Sequence, residues 1–226
     1  MKNKEEIAVV VQARMSSTRC PKKMTKNFSN TTLLDVLFEK LKNSKIPNSR
    51  IFVSVHEDPL IEKCKEYPFN LFKRSKESAL SEGESIKEIF EWWDKIPFKY
   101  VVMINACCPF LRPQTIENFY HDYSQVENNG MFAVFNKKNY VWSESGDLLT
   151  PLSTSLNTKS MCQIKEAAHV LYAGCLSDIG NNVWMGDFSK NGEVLLWDKI
   201  EEKEALDIDY QWQFDMCEAL YSGGFK

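Results

Sequence analysis

Two short stretches carry the residue types that do chemistry. The first is "VVVQARMSSTRCPKKM", Val9 to Met24, where an apolar run gives way at once to a basic, hydroxyl-rich segment. No Asp or Glu occurs between Ile7 and Leu34, although the chain carries a net charge of −3. Arg14 and Arg19 are forked donors, Lys22, Lys23 and Lys26 are point charges, and Ser16, Ser17 and Thr18 are small hydroxyl residues. A loop of this make-up behind a strand can bind phosphate oxygens through its cations and backbone N–H groups. Composition alone leaves a solvated basic loop equally open. The segment lacks GxxxxGK[ST] and GxGxxG, which excludes the common nucleotide loops. The second stretch is "EALDID". Alternate residues of an extended chain share a face, so Asp207 and Asp209 come together on one side of Ile208. Like charges that close need a cation between them. Mg²⁺ held by carboxylates and phosphate oxygens meets that need. Asp209 is also placed to cap the helix expected after it.

The elements that must position these residues follow from periodicity. "IAVVVQA", "RIFVSVH", "FNLFKR" and "YVVMINA" read as strands, the first and last as buried parallel ones. Helices are expected over Thr32–Asn43, capped by Thr31 or Thr32, over "DPLIEKCKEY", over "SEGESIKEIFEWWDKI" and over "RPQTIENFYHDYSQVEN". This alternation predicts an α/β fold with a doubly wound, mostly parallel, Rossmann-like sheet. Ligands of such sheets bind at the carboxyl ends of the strands, where the basic loop falls. Beyond residue 129 the pattern changes. "GMFAVFNK", "AAHVLYAGCL" and "EVLLWDKI" suggest strands around a polar stretch from Tyr140 to Lys165, with a short helix near Leu176 to Gly180 and a closing helix over "YQWQFDMCEALYS". Residues 130–180 are expected to form an insertion or flap on a single domain spanning 1–226.

Bulk properties narrow the function. Of 226 residues 43% are apolar, enough for one sizeable core, and 26% are charged. The slightly acidic balance argues against a general nucleic-acid binder. No apolar run is long enough to cross a membrane, and the N-terminus does not read as a signal peptide. The seven cysteines form no framework, as expected of thiols in a reducing cytoplasm. His56 and His121 join no constellation, and His169, on an apolar strand, is expected to be a core histidine or one that supports the site from behind.

"QARMSSTRCPKKM" resembles the N-terminal signature of the cytidylyltransferases that activate acidic sugars: the CMP-sialic acid (acylneuraminate) synthetases and their Kdo and polysaccharide-biosynthesis relatives. Their pattern runs Ala-Arg-x-Gly-Ser-x-x-x-Pro-x-Lys, and Ala13, Arg14, Ser17, Pro21 and Lys23 match it. Ser16 stands at the usual Gly, and Met24 where sialate enzymes often carry Asn. "FKRSKESALSEGESIKEI" resembles the segment whose Arg and Ser contact the nucleotide, at Arg74 and Ser85. "VVMINACCPFLRP" resembles the turn facing the sugar, with Asn105 at the family's Gln. Cys107 stands at the sialate type's Thr, where Kdo-type enzymes hold a metal-binding Asp. "EAAH" at Glu166–His169 departs from the sialate pattern.

The resemblance implies the nucleotide-diphospho-sugar transferase type of fold. It also implies transfer of CMP from CTP to the anomeric hydroxyl of an acidic, sialic-acid-like sugar with release of pyrophosphate. Ala13, Arg14, Ser16, Ser17, Arg19, Lys23, Arg74 and Ser85 would bind the nucleotide and Asn105 the sugar. Asp207 and Asp209 would hold Mg²⁺, with Arg14, Lys23 and Asp209 central to catalysis. The 130–180 flap would build a homodimer. A different acceptor (a Kdo-like sugar, a phosphosugar or a phosphonate) and a non-catalytic nucleotide-binding protein remain the alternatives.

Overall fold

The computed structural model describes residues 1–80, 85–150 and 158–225. Its centre is β1, Ile7–Gln12, whose first five residues are fully buried. Both faces of β1 are covered, which is why its sequence is apolar without a break. Ile7, Val9 and Val11 enter one core, while Ala8 and Val10 enter the other. β2 (Ile51–Val55) and β4 (Tyr100–Ile104) flank β1 in parallel, pairing Val9 with Ile51 and with Val102, and β3 (Asn70–Lys73) continues outward from β2. On the other side of β4 the sheet takes in β6 (Ile164–Cys175), β5 (Gly130–Lys137) and β7 (Val194–Trp197), giving the order β3-β2-β1-β4-β6-β5-β7. β5 and β7 are parallel, whereas β6 runs antiparallel to both β4 and β5. The expected doubly wound, mostly parallel sheet is therefore present, with one reversed strand.

Four helices pack into one core: α1 (Leu33–Lys42), α2 (Asp58–Cys64), α5 (Pro113–Gln125) and α7 (Gln211–Ser222). Thr32 caps α1, its hydroxyl accepting from the Asp35 N–H at 3.1 Å. α3 (Lys76–Ala79) and α4 (Ile86–Ile89) are single turns, and α6 (Leu176–Gly180) closes the opposite face together with Trp92.

Three expectations change. The long helix over "SEGESIKEIFEWWDKI" is reduced to α4 and turns, its first four residues lying outside the described ones. Its aromatics are drawn apart: Phe90 stacks on Trp184 at 3.9 Å, Trp92 is fully buried, and Trp93 abuts Gly180. One helical stripe cannot serve three such partners. Next, "LDID" is not the end of a strand. It forms no strand, and its backbone meets the sheet side where the Ile208 N–H donates to the Cys107 carbonyl at 3.1 Å. Finally, Gly130–Lys137 and Ile164–Cys175 of the expected flap belong to the seven-stranded sheet, and its residues 151–157 lie outside the described ones. Val134–Lys137 and Ile164–Ala167 pair with each other alone, as a two-stranded ribbon.

Where the ribbon joins the sheet the register slips. Phe132 faces Tyr172 but Val134 faces Ala167. His169 lies in this bulge at φ 51°, exposed, which corrects the expectation of a core position. The bulge turns the β6 backbone toward the end of β4, where the Asn105 N–H donates to the Val170 carbonyl at 2.9 Å.

Candidate active site

The loop after β1 is pinned to the carboxyl edge of the sheet before it reaches α1. Ala13 N–H extends the ladder to the Ser54 carbonyl at 3.1 Å, Met15 N–H donates to Glu57 Oε1 at 2.8 Å, and the Ser16 hydroxyl donates to the Ala79 carbonyl at 3.2 Å. Farther on, Phe28 is fully buried and meets the Phe214 ring of α7 edge-on at 5.4 Å. Between these anchors Lys22 adopts φ 58°, and its carbonyl accepts from the Thr25 and Lys26 N–H groups. That turn sends Lys23 inward, leaving its side chain 11% exposed.

Lys23 Nζ donates to the Ile208 carbonyl at 2.5 Å and stands 3.4 Å from Asp209 Oδ1. Arg19 reaches the same oxygen at 2.9 Å. The basic loop and the acidic pair, some 185 residues apart, are thus two walls of one cavity. Ile208 is fully buried, and Asp207 and Asp209 emerge on the other side of it, as the alternation required. α7 starts one residue too late for Asp209 to cap it. Tyr210 takes that place, Gln213 Oε1 accepts from the N–H groups of both Asp209 and Tyr210, and the Asp209 carboxylate is left to the cations.

Asn105 ties the other side together. Its amide nitrogen donates to Asp207 Oδ2 at 3.2 Å and to the His169 carbonyl at 3.0 Å, and its oxygen accepts from the Cys107 N–H at 2.9 Å. Asp207 Oδ1 is buried and meets no donor among the described residues. Burial, and then Asp209, hold the Asp207 carboxyl above the usual aspartate value. Burial pushes the Cys107 thiol up to about 11, so it is neutral at pH 7, and its sulfur lies 3.9 Å from that of Met24 on the cavity floor. A neutral thiol is a weak nucleophile, and the Cys107 sulfur packs against Met24.

The cavity measures about 400 Å³ and brings together Ala13, Arg14, Ser16, Ser17, Arg19, Lys23, Asn105, Asp207 and Asp209, nine of the residues singled out from sequence. A second cavity of about 340 Å³ adjoins it, sharing Gln12, Arg14 and Asn105, with Arg74, Ser78, Leu80, Phe90 and Tyr172 in its wall. Arg74 is buried, donating to the Ala13 carbonyl at 2.7 Å and the Ser78 carbonyl at 3.1 Å. Burial brings its guanidinium down to about 10, still charged at pH 7. Ser85 is the N-cap residue of α4 and lines neither cavity.

Sequence reasoning passed over Gln12 and Glu204. Gln12 lines both cavities, with Trp92 Nε1–H donating to its oxygen at 2.9 Å and its nitrogen donating to the Ile89 carbonyl at 3.2 Å. A lone amide ending an apolar strand was its signal. Glu204 is fully buried and accepts from Arg112 Nε and Nη2 at 3.0 Å each and from the Thr115 hydroxyl at 2.6 Å. It fixes the acidic segment to the turn before α5, and nothing in the local sequence marks it.

Two carboxylates, one with a buried unpartnered oxygen, fit a hard cation that takes its remaining ligands from phosphate and water. No group of three or more His, Cys, Asp or Glu able to hold a metal occurs among the described residues.

The family model for cytidylyltransferases matches residues 8–160, well over half of the chain. The chain belongs to the cytidylyltransferase family. It is a CTP-dependent nucleotidyltransferase by that membership. No curated protein matches it. Among solved structures, CMP:2-keto-3-deoxy-manno-octonic acid synthetase complexed with CTP superposes with a TM-score of 0.72 at 12% identity, covering 97% of this chain and 99% of that one. A cytidylyltransferase from Leptospira borgpetersenii serovar Hardjo-bovis gives 0.66 at 17% identity, covering 96% and 87%. 4-Diphosphocytidyl-2C-methyl-D-erythritol synthase from Anaerococcus prevotii gives 0.66 at 12%, covering 95% of each chain. At these identities the likeness establishes the fold. The cytidylyltransferase contains no helix, among the described residues, long and apolar enough to cross a membrane.

Proposed function

We propose that the enzyme transfers CMP from CTP to the anomeric hydroxyl of an acidic, sialic-acid-like sugar and releases pyrophosphate. The observation that carries this reading is the meeting of Arg19 and Lys23 with Asp209, beside the unpartnered Oδ1 of Asp207. Phosphoryl transfer needs positioning and charge neutralisation more than covalent help from the protein.

Arg14, Arg19, Lys23 and the loop N–H groups hold the triphosphate, and the cations stabilise the departing pyrophosphate. Arg14 reaches both cavities and forms no hydrogen bond or ion pair among the described residues, so it is free for phosphate. The second cavity takes the cytidine: Phe90 and Tyr172 give it aromatic walls, and Arg74 and Trp92 keep Ala13 and Gln12 in place. Asn105, at the junction, orients the acceptor. Asp207 and Asp209 would hold Mg²⁺, which when bound would supply Lewis-acid stabilisation of phosphate charge. Cys107 stands where Kdo-type enzymes carry an Asp, which favours the sialate-type acceptor. The ribbon of Val134–Lys137 and Ile164–Ala167 leads to exposed Trp142 and Leu149, surface suited to a homodimer contact.

Pyrophosphate release with CTP, Mg²⁺ and a panel of acceptors tests the reading. Release with a nonulosonic acid is expected. Release only with an eight-carbon keto acid, a phosphosugar or a phosphonate moves the acceptor class, and CTP binding without release by any acceptor overturns the catalytic reading. A preference for UTP or ATP removes cytidine from the second cavity.

A further inference from the structure

Two loop cations touch Asp209, and they are held very differently. Lys23 is nearly buried and anchored by the Ile208 carbonyl at 2.5 Å, so it is a fixed part of the wall. Arg19 reaches Asp209 Oδ1 from the solvent side with its side chain 53% exposed. Its guanidinium lies over the Tyr210 ring, 5.2 Å from the centroid, which gives it a defined resting place. One of the two carboxylates that would hold a metal is therefore already engaged by an exposed cation, while the other keeps an unpartnered oxygen.

A guanidinium on a carboxylate oxygen competes with a divalent cation for the lone pairs and repels it across a few ångströms. The same guanidinium lines the cavity where the triphosphate would lie, and its planar fork matches a phosphate as well as a carboxylate. We propose that Arg19 is a latch. It neutralises Asp209 and blocks the metal in the nucleotide-free enzyme, then crosses to the incoming phosphates. The metal is thus admitted to Asp209 together with the nucleotide and not before it. This rests on the triphosphate and metal assignment above. Arg19 acts here as a positioning residue for the ion, apart from any contact it makes with phosphate.

The test uses two binding measurements on the same full-length variants. Mn²⁺ binding to nucleotide-free protein is followed by the electron paramagnetic resonance signal of free Mn²⁺, and CTP binding is followed by calorimetry in EDTA. Arg19→Ala, at an exposed position, should bind Mn²⁺ about fivefold to tenfold more tightly than the wild type, since a unit charge beside a dication is removed. It should bind metal-free CTP more weakly by a similar factor. Arg19→Lys should stay near the wild type in both, and Arg19→Ala with Asp209→Asn should lose the Mn²⁺ gain. Opposite shifts in one variant are what a merely structural role would not produce. The latch is overturned if Arg19→Ala holds Mn²⁺ no better than the wild type, if both affinities fall together, or if the gain survives Asp209→Asn. If neither the wild type nor Arg19→Ala holds Mn²⁺ at all, the metal assignment falls and the latch with it.

Discussion

The two cavities that meet at Gln12, Arg14 and Asn105 are built on different principles. In the first, groups from distant parts of the chain meet: Arg19 and Lys23 pair with Asp209, and the Asn105 amide donates to one oxygen of Asp207. In the second, the charged group is held by neutral partners, Arg74 by two backbone carbonyls on its terminal nitrogens with its buried Nε left unpartnered, and the neighbouring wall is aromatic. Ion pairs can be exchanged for a charged ligand at modest cost, because one partner replaces another. A buried guanidinium bonded to carbonyls cannot be exchanged without leaving those carbonyls unpaired. The first cavity is therefore suited to a ligand that brings its own charge and rearranges the wall. The second offers a fixed shape, suited to a planar base.

The strongest way to break this contrast is to remove the fixed cation of the polar cavity. Lys23→Met should lower the turnover of pyrophosphate release about a hundredfold or more, the scale of losing one preorganised charge at a transferring phosphoryl group. A loss of less than threefold at saturating CTP would mean that the cavity wall is scenery and the chemistry lies elsewhere.

The next largest effect belongs to the preformed cavity, and it falls on stability. Arg74→Met leaves the Ala13 and Ser78 carbonyls without their donor inside the protein. Urea unfolding should show a loss of about 2–3 kcal/mol. Arg74→Lys should recover only part of it, because one ammonium does not reproduce a fork. CTP affinity of the folded fraction should fall by less than about tenfold if Arg74 acts as a clamp; a far larger fall with stability intact would make it a direct ligand.

The contrast also separates what the sequence made legible from what it did not. β1, α1, α5 and the alternation that places Asp207 with Asp209 were readable because periodicity and capping are local: Thr32 and Asp35 are three residues apart. The meeting of loop and acidic pair was readable through chemistry, as cations and carboxylates each lacking a partner nearby. The burial of Arg74 and its bonds to the Ala13 and Ser78 carbonyls were not, since a buried arginine and an exposed one have the same letter. The collapse of the helix over "SEGESIKEIFEWWDKI" was set by tertiary partners of Phe90 and Trp92 on other elements, which no window contains. The reversal of β6 likewise depends on how the chain returns between β4 and β5.

The smallest effect bears on the unfinished pairing of the polar cavity. The Asp207 carboxyl is held above its ordinary value of 3.8 by burial and by Asp209. A carboxylate with a raised folded-state pKa is penalised when ionised: the penalty is full above that raised pKa and gone below the unfolded value. Asp207→Asn removes the charge but keeps an oxygen for the Asn105 amide. In the absence of nucleotide and metal it should raise the melting temperature by about 2 °C at pH 7 to 8. The gain should shrink as pH falls through the raised pKa and vanish below about pH 4. Thermal melts across that range decide the point. A lower melting temperature at pH 7 would show that the ionised carboxylate is already compensated in the free protein, and that the polar cavity is as finished as its neighbour.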